Sequence, residues 1–489
     1  MKTNQPLEPR SQGGAFSVPY KWKVLFIVAL STTMSTMDFS ITNLSFPVLV
    51  KSFNTDLAGV MWVGLIFSLV SISLMLLLGK VSDVLGRKKI FTVGIAIFSI
   101  GLVTCALAQG LGQLIAFRIL QAVGAAMVII CGPAIVADAF PHDELGKGIG
   151  LTGASASLGF IIGPILGGLL LKWFNWPSIF LTRVPFGVVI FFMALFLFKR
   201  DAAVEKKVRF DIAGTLTSSF GLFLLILGVS QITRLGYKSP IILALILLGV
   251  IGLTLFILVE RKAPEPVVDL SLFHDKVFAI SILILFLAFM TYPSYLLIMP
   301  FYLMEGLGLT SSEAGLLMAV TAITSVIVSP ISGALSDRFG PKWLLVFGTV
   351  STLISYILMT NFDLQTGSRF IIYVMALMGI GIGAFHTPNN STIMGAVSKD
   401  RRGTASALLA TKRNAGMSLG MALTGTIYSA RRLIYESDLL REGADKAYAA
   451  VQSIPEAFHD TLLVSILIQS VVVILCLCLK IAAPPKNAV

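Results

Sequence analysis

Charge is scarce in this sequence: 13% of its 489 residues are Asp, Glu, Lys or Arg, about half the share found in a water-soluble domain. A soluble fold has no means of hiding a chain that is 56% hydrophobic. The mean hydropathy of +0.89 is a property of the whole length, which excludes a polar protein with one anchor helix. Cysteine is nearly absent. Cys105, Cys131, Cys476 and Cys478 all lie within apolar runs, which excludes a disulfide framework or a spaced zinc site and leaves them as small core residues. The four histidines, His142, His274, His386 and His459, lack metal-ligand spacing, so no metal is expected. No Walker-type loop, nucleophile elbow or HExxH pair occurs, which excludes ATP hydrolysis and the other chemistries those motifs serve, and no cofactor or enzymatic activity is expected. Energy for any work must then come from a gradient, where one proton moving down 100 mV supplies about 2.3 kcal/mol.

Long apolar runs are what the chain has instead. At about 20 residues per membrane span, they fall near 23–50, 57–79, 90–109, 111–139, 145–171 and 178–198, then 211–231 and 239–259. Six more follow near 275–303, 311–335, 342–361, 368–397, 402–431 and 459–480. The first twenty residues are polar and lead into Lys21-Trp22-Lys23; the run that follows is too long for a signal-peptide core, so an uncleaved, cytoplasmic N-terminus is expected. On that orientation roughly 24 basic residues fall on the cytoplasmic side and roughly 9 outside, with Arg87-Lys88-Lys89 and Arg401-Arg402 among the inner clusters. Topology therefore accounts for the net charge of +12, and no nucleic-acid partner is expected. The stretch near 432–457 reads as one long external loop.

A ten-residue pattern occurs twice. Gly79 to Lys88 (GKVSDVLGRK) returns in weaker form as Gly333 to Lys342 (GALSDRFGPK), each between two apolar runs. Copies at matching places in two groups of six predict an all-α integral membrane fold. Two six-helix bundles are related by a pseudo-twofold axis, with two additional helices between them in sequence. The expected divisions are an N-terminal tail at 1–20, a bundle at 21–200, the added pair at 201–262, a second bundle at 263–480 and a tail at 481–489.

Several segments carry a family resemblance. Met37 to Pro47 is similar to the Asp-containing first-span motif of the major facilitator superfamily, and Gly79 to Lys89 to its loop motif between spans 2 and 3. Arg118 to Ala126 resembles the fourth-span motif, with Ala122 in place of a usual glycine. Gly159, Gly163, Pro164, Gly167 and Gly168 resemble the fifth-span pattern that the family associates with exporters. Trp176, Phe180 and Pro185-Phe186-Gly187 fit the start of span 6, with Arg183 where asparagine is usual. The resemblance is to the fourteen-helix drug:proton antiporter branch and covers nearly the whole chain.

Asp38 reads as the one acid deep within an apolar run, where an ionisable group costs about 2.5–3.5 kcal/mol. It lies roughly 15 Å from the outer end of its span and Arg118 roughly 10 Å from the outer end of span 4, which are compatible depths. A guanidinium keeps its proton in a protein, so any proton carried by the pair rides on the carboxylate. The pair is therefore a proton-coupling site or a structural bond between spans 1 and 4. The resemblance implies that Asp83, Arg87 and Asp138 form an intracellular latch, and the repeat adds Asp337 and Arg338. Candidates for a substrate cavity are Met34, Asn43, Gln121, Arg183, Tyr292 and Tyr295, together with Asn390, Lys412, Arg413 and Asn414. Lys412 and Arg413 either meet substrate or snorkel to the inner interface.

The expected function is proton-driven export of hydrophobic or amphiphilic toxic compounds by alternating access. The expected protein is a monomer in the cell membrane with both termini cytoplasmic, and its partners are a small amphiphilic substrate, protons and lipid. Arg118, Arg183, Lys412 and Arg413 against one acid also suit anionic amphiphiles or lipids. A receptor that has lost transport is the third reading.

Overall fold

A computed structural model describes residues 19–141, 144–199, 212–236, 238–262, 270–397 and 402–479. Within them the first bundle comprises α1 (Tyr20–Ser52), α2 (Leu57–Leu85), α3 (Arg87–Ala106), α4 (Leu111–Ala139), α5 (Leu145–Trp173) and a broken sixth span, α6 (Ser178–Leu181) with α7 (Val184–Leu197). Next come α8 (Ile212–Ser230), the short α9 (Ile232–Leu235) and α10 (Pro240–Glu260). The second bundle comprises α11 (Lys276–Phe301), α12 (Ser311–Phe339), α13 (Pro341–Met359), α14 (Ser368–Gly395), α15 (Arg402–Arg441) and α16 (Lys446–Cys478). Thirteen helical segments among the described residues are long and apolar enough to cross a membrane. The expected span at 402–431 is not among them; it falls in α15, whose interior carries Lys412 and Arg413. We call the face on which α1 begins proximal and the other distal.

The repeated decapeptide closes the same kind of corner twice. Gly86 between α2 and α3 has φ 97° and Gly340 between α12 and α13 has φ 84°, a conformation that L side chains with a Cβ rarely adopt. Packing repeats too. α3 lies against α4 so closely that a Cβ on Gly101 would stand 2.6 Å from Gln121 Cα, and α13 meets α14 with Gly348 in the same role, 2.7 Å from the Phe385 nitrogen. The pairs α1–α5 and α11–α15 correspond in the same way. Small residues are needed there because helices in lipid associate by close packing more than by a hydrophobic drive. α8 and α10 pack on each other through Gly221, Gly249 and Gly252.

Besides α1 against α11, the bundles meet along α5–α12 and α2–α15, and the tightest approaches of these two seams lie in the distal half. In one, a Cβ on Gly315 of α12 would overlap the Pro164 carbonyl of α5, and one on Gly168 would sit 2.5 Å from the Ser311 carbonyl. In the other, Met421 and Gly425 of α15 meet Gly64 and Met61 of α2. Toward the proximal face Ile149, Leu151 and Leu158 of α5 and Ile327, Ile331 and Leu335 of α12 are exposed. The closest contacts of both seams are thus distal.

The expected loop near 432–457 is helical instead. α15 runs 40 residues to Arg441 and α16 starts at Lys446, so α15 is about 60 Å long, twice the hydrocarbon thickness. Polar residues there line a helical hairpin outside the apolar span. Arg432 donates to Glu305 Oε2 at 3.0 Å and Arg431 pairs with Asp460 at 3.1 Å, which ties the hairpin to α16 and to the π-helical turn Tyr302–Gly306 after α11.

At the distal turn between α13 and α14, Asp363 Oδ1 accepts from the Thr366 hydroxyl at 2.9 Å and from the Gln365 amide at 2.8 Å. These bonds, the Thr366 hydroxyl foremost, hold the carboxyl below the usual aspartate range. A folded value below the unfolded one gives support that is complete above the unfolded range and lost as pH falls through the folded one. The Gln365 amide should therefore keep its hydrogen-exchange protection at neutral pH and lose it on acidification; a flat profile down to about pH 2 would refute this.

Candidate functional site

Asp38 lies midway along α1 and is fully buried. Its Oδ2 accepts from Arg118 Nη1 at 2.9 Å; its Oδ1 accepts from Gln121 Nε2 at 2.9 Å and also from Arg183 Nη1. Arg118 and Gln121 are one turn apart on α4, so both present to α1. Arg183 arrives from the break between α6 and α7, where Pro185 starts α7 and the Arg183 Nε donates to the Ile179 carbonyl at 2.9 Å. Gly187 just beyond leaves room for Ser99 of α3.

Every neighbour of the Asp38 carboxyl is a donor, the arrangement suited to an ionised carboxylate, which only accepts. Arg118 also donates through Nε to the Val63 carbonyl at 3.0 Å and through Nη1 to Gln121 Oε1 at 2.8 Å. Its guanidinium lies 4.3 Å from the Phe67 ring centroid, and Phe180 stands between the two arginines at 5.9 and 5.5 Å. Arg183 Nη2 is buried with no hydrogen-bond partner, as are Thr42 Oγ1 and Asn43 Oδ1 on α1. Two guanidiniums on one carboxylate leave the cluster with one excess positive charge. A buried ion set of this kind is tolerated only while geometry and hydrogen bonding stay complete, so a change of charge on Asp38 must rearrange it.

Gln121 and Arg183, expected on a substrate cavity, are thus placed in the Asp38 cluster. Met34 is buried in the main hydrophobic core, and Asn43 is buried with its amide nitrogen donating to the Phe39 carbonyl at 2.7 Å. In the second bundle Tyr292 borders a cavity of about 30 Å³ with His386 and Gln469, room for one water. The Tyr295 hydroxyl donates to the Met318 carbonyl at 3.1 Å. Asn390 is half-buried on α14, beside a fully buried Asn389 whose side-chain amide has no partner. Arg413 faces the Phe289 ring at 6.0 Å and Asn414 reaches Met75 of α2 at 3.7 Å. Lys412 lines a separate, larger cavity.

At the proximal face Arg87 Nη1 donates to both oxygens of Asp138 at 3.2 Å, joining the start of α3 to the end of α4. Arg338 is exposed and lies 5.3 Å from the Phe339 ring. The side chains of Asp83 and Asp337 lie outside the described residues. The fifth-span glycines divide between two partners. A Cβ on Gly159 would overlap Thr36 and the Thr33 carbonyl, one on Gly163 would overlap the Ser40 hydroxyl, and one on Gly167 would stand 2.6 Å from Ile41, all on α1. Gly168 and the Pro164 carbonyl instead face α12.

Two acids escaped the reading of the sequence. Glu305 sits in the π-helical turn with its side chain 12% exposed, bound to Arg432, and Glu260 at the proximal end of α10 is 3% exposed. Each falls within two residues of the end of an apolar run, where an acid reads as an interfacial residue.

Comparison with known proteins gives a consistent picture. The riboflavin transporter RibZ of Clostridioides difficile is 33% identical over 438 residues, covering 88% of this chain and 93% of that protein. The multidrug resistance protein Stp of Mycobacterium tuberculosis is 30% identical over 407 residues, covering 83% and 75%. Among solved structures, a bacterial homologue of the human lysosomal transporter Spinster, inward-facing and unoccupied, aligns with a TM-score of 0.66 at 18% identity over 95% of this chain and 98% of that one. Fold and relatives describe a multi-pass membrane transporter rather than an enzyme. The sequence profile of the Major Facilitator Superfamily matches residues 28–421, and the chain belongs to that family.

Proposed function

We propose that the protein is a proton-coupled exporter of amphiphilic small molecules, of the fourteen-helix drug:proton antiporter branch, working by alternating access as a monomer in the cell membrane. The observation that carries this reading is the carboxylate of Asp38, held by three donors from α4 and a helix break in a water-poor core. Protonation would remove the one negative charge facing two guanidiniums, so proton uptake and cluster opening are the same event. A bundle with two packings then converts that event into movement. The fifth-span glycines, which resemble the family's exporter pattern, form the hinge side, and the bundles at 21–200 and 263–480 rock about the distal seams, with 201–262 between them. With the termini cytoplasmic, closure of the distal seams corresponds to the inward-facing state. The multidrug resistance relative supports export of drugs.

Arg87 and Asp138, with Asp83, Asp337 and Arg338, form the cytoplasmic latch in this scheme. The Arg87–Asp138 pair is 33% and 52% exposed, so Arg87→Gln should change thermal stability by no more than about 1 kcal/mol. Its effect should fall on transport rate, and a rate equal to wild type would remove the latch.

The riboflavin transporter among the relatives favours a second cargo, a neutral heteroaromatic vitamin. Proteoliposomes containing a pH-sensitive dye decide between the readings. A cationic dye, riboflavin and an anionic amphiphile are added in turn under an imposed pH gradient. Proton efflux elicited by one class names the cargo, and a silent dye with all three, while labelled substrate still crosses, would falsify proton coupling.

A further inference from the structure

Beside the α2–α15 seam, in its proximal half, lies a cavity of about 950 Å³ that belongs to neither the Asp38 cluster nor the space between the bundles alone. α8 and α10 form its outer wall. Ile72 of α2, Leu222 and Leu225 of α8, Leu253 and Phe256 of α10 and Phe286 of α11 make it greasy. α10 packs along α8 and not along α11, so the cavity sits where a gap faces the bilayer, with the 3-10 turn Leu270–His274 crossing its proximal end.

Basic side chains mark its polar end. Arg261 and His274 stand at the proximal mouth and Lys412 lies inside, about 15 Å along α15 from its start. No ion pair or hydrogen bond to a described residue occupies the Lys412 ammonium. The one acid on the wall, Glu260, has an interaction of its own. A lysine in an apolar span marks a ligand path or a wet cavity. The volume falls at the upper end of the range for small-molecule pockets.

We propose that this cavity binds an anionic single-chain amphiphile taken from the bilayer between α10 and α11. Its phosphate or carboxylate would rest against Lys412, and its chain would lie along the leucines of α8 and α10. The two additional helices then have a purpose that neither bundle supplies: they turn an inter-bundle seam into a lipid-side pocket. Lys412 and Arg261 outnumber Glu260 on the wall, so the charge balance favours an anion over a cation, and a headgroup without a chain leaves the apolar wall unused. This inference stands apart from proton coupling, and its test involves no proton flux.

Native mass spectrometry of the full-length protein in detergent tests it with lysophosphatidylglycerol, lysophosphatidylcholine and glycerol 3-phosphate. Wild type should retain the anionic lysolipid about tenfold more strongly than the zwitterionic one and should not retain glycerol 3-phosphate. Lys412→Gln should erase that preference and Lys412→Arg should keep it, which separates charge from folding. Leu253→Trp, which fills the cavity without touching a charge, should weaken both lysolipids together. Equal retention of the two lysolipids by wild type, an unchanged preference in Lys412→Gln, or headgroup binding as tight as that of the lysolipid would each overturn the proposal.

Discussion

Asp38→Asn is expected to abolish substrate-elicited proton movement and, separately, to destabilise the first bundle. Arg118 and Arg183 are 1% and 0% exposed at the side chain, and removing the charge between them leaves two buried cations uncompensated. Breaking a buried ion set in this way costs about 3–5 kcal/mol, measurable as a fall in the melting temperature of the purified protein. Loss of transport in that variant alone would therefore be ambiguous. The double variant Asp38→Asn/Arg183→Met removes one stranded cation together with its unpartnered Nη2. It should recover part of the lost stability while proton-coupled transport stays at background. Recovery of transport along with stability would reduce the cluster to a structural bond between α1, α4 and α7.

Gly168→Val should have the second-largest effect, and of a different kind. Gly168 lies on the seam between bundles, where a Cβ would meet the Ser311 carbonyl at 2.5 Å and Ser312 Cα at 3.0 Å. Backbone atoms cannot yield as a side-chain end does, so α5 and α12 must part distally. The expected result is a correctly folded protein shifted away from the distally closed state, with transport reduced about tenfold or more. Maleimide labelling of Ser312→Cys from the distal face reads this directly, once the exposed Cys478 has been replaced by serine. Labelling should be slow in the wild-type background and fast beside Gly168→Val. Gly159→Val offers the contrast, because its clash is with α1 inside one bundle. That change should lower the yield of folded protein, with little shift in distal accessibility among the molecules that fold. Similar behaviour of the two variants would mean that the two faces of α5 do not have separate partners.

The helices were legible because span length and apolar content are local properties. The decapeptide repeat was legible because its glycine must turn the chain at positive φ in both copies. The far ends of α15 and the near end of α16 were not. Residues 432–457 are polar, and polarity says that a segment is in water without saying whether it is helical. Glu305 was overlooked for a related reason, since its partner Arg432 lies 127 residues away.

Around Asp38 the sequence pointed to the residues and missed their grouping. Arg118 and Gln121 share a helix face by spacing alone. Nothing local to Arg183 shows that it crosses 145 residues of chain to reach the same carboxylate. The break at Pro185 aims it there, and that direction is set by how α6 and α7 sit on α3.

By itself the amino-acid sequence determined that this chain lives in a bilayer, crosses it many times in two related halves and buries an acid in its first span. Each of those follows from composition and period along a single helix. Only the tertiary structure decided that one carboxylate faces two guanidiniums, that the α5–α12 and α2–α15 seams are tightest on the distal side, and that the added helices wall a cavity with Lys412 inside it. Those depend on which helix faces meet, and helices in lipid choose partners by close fit over many residues rather than by any one of them.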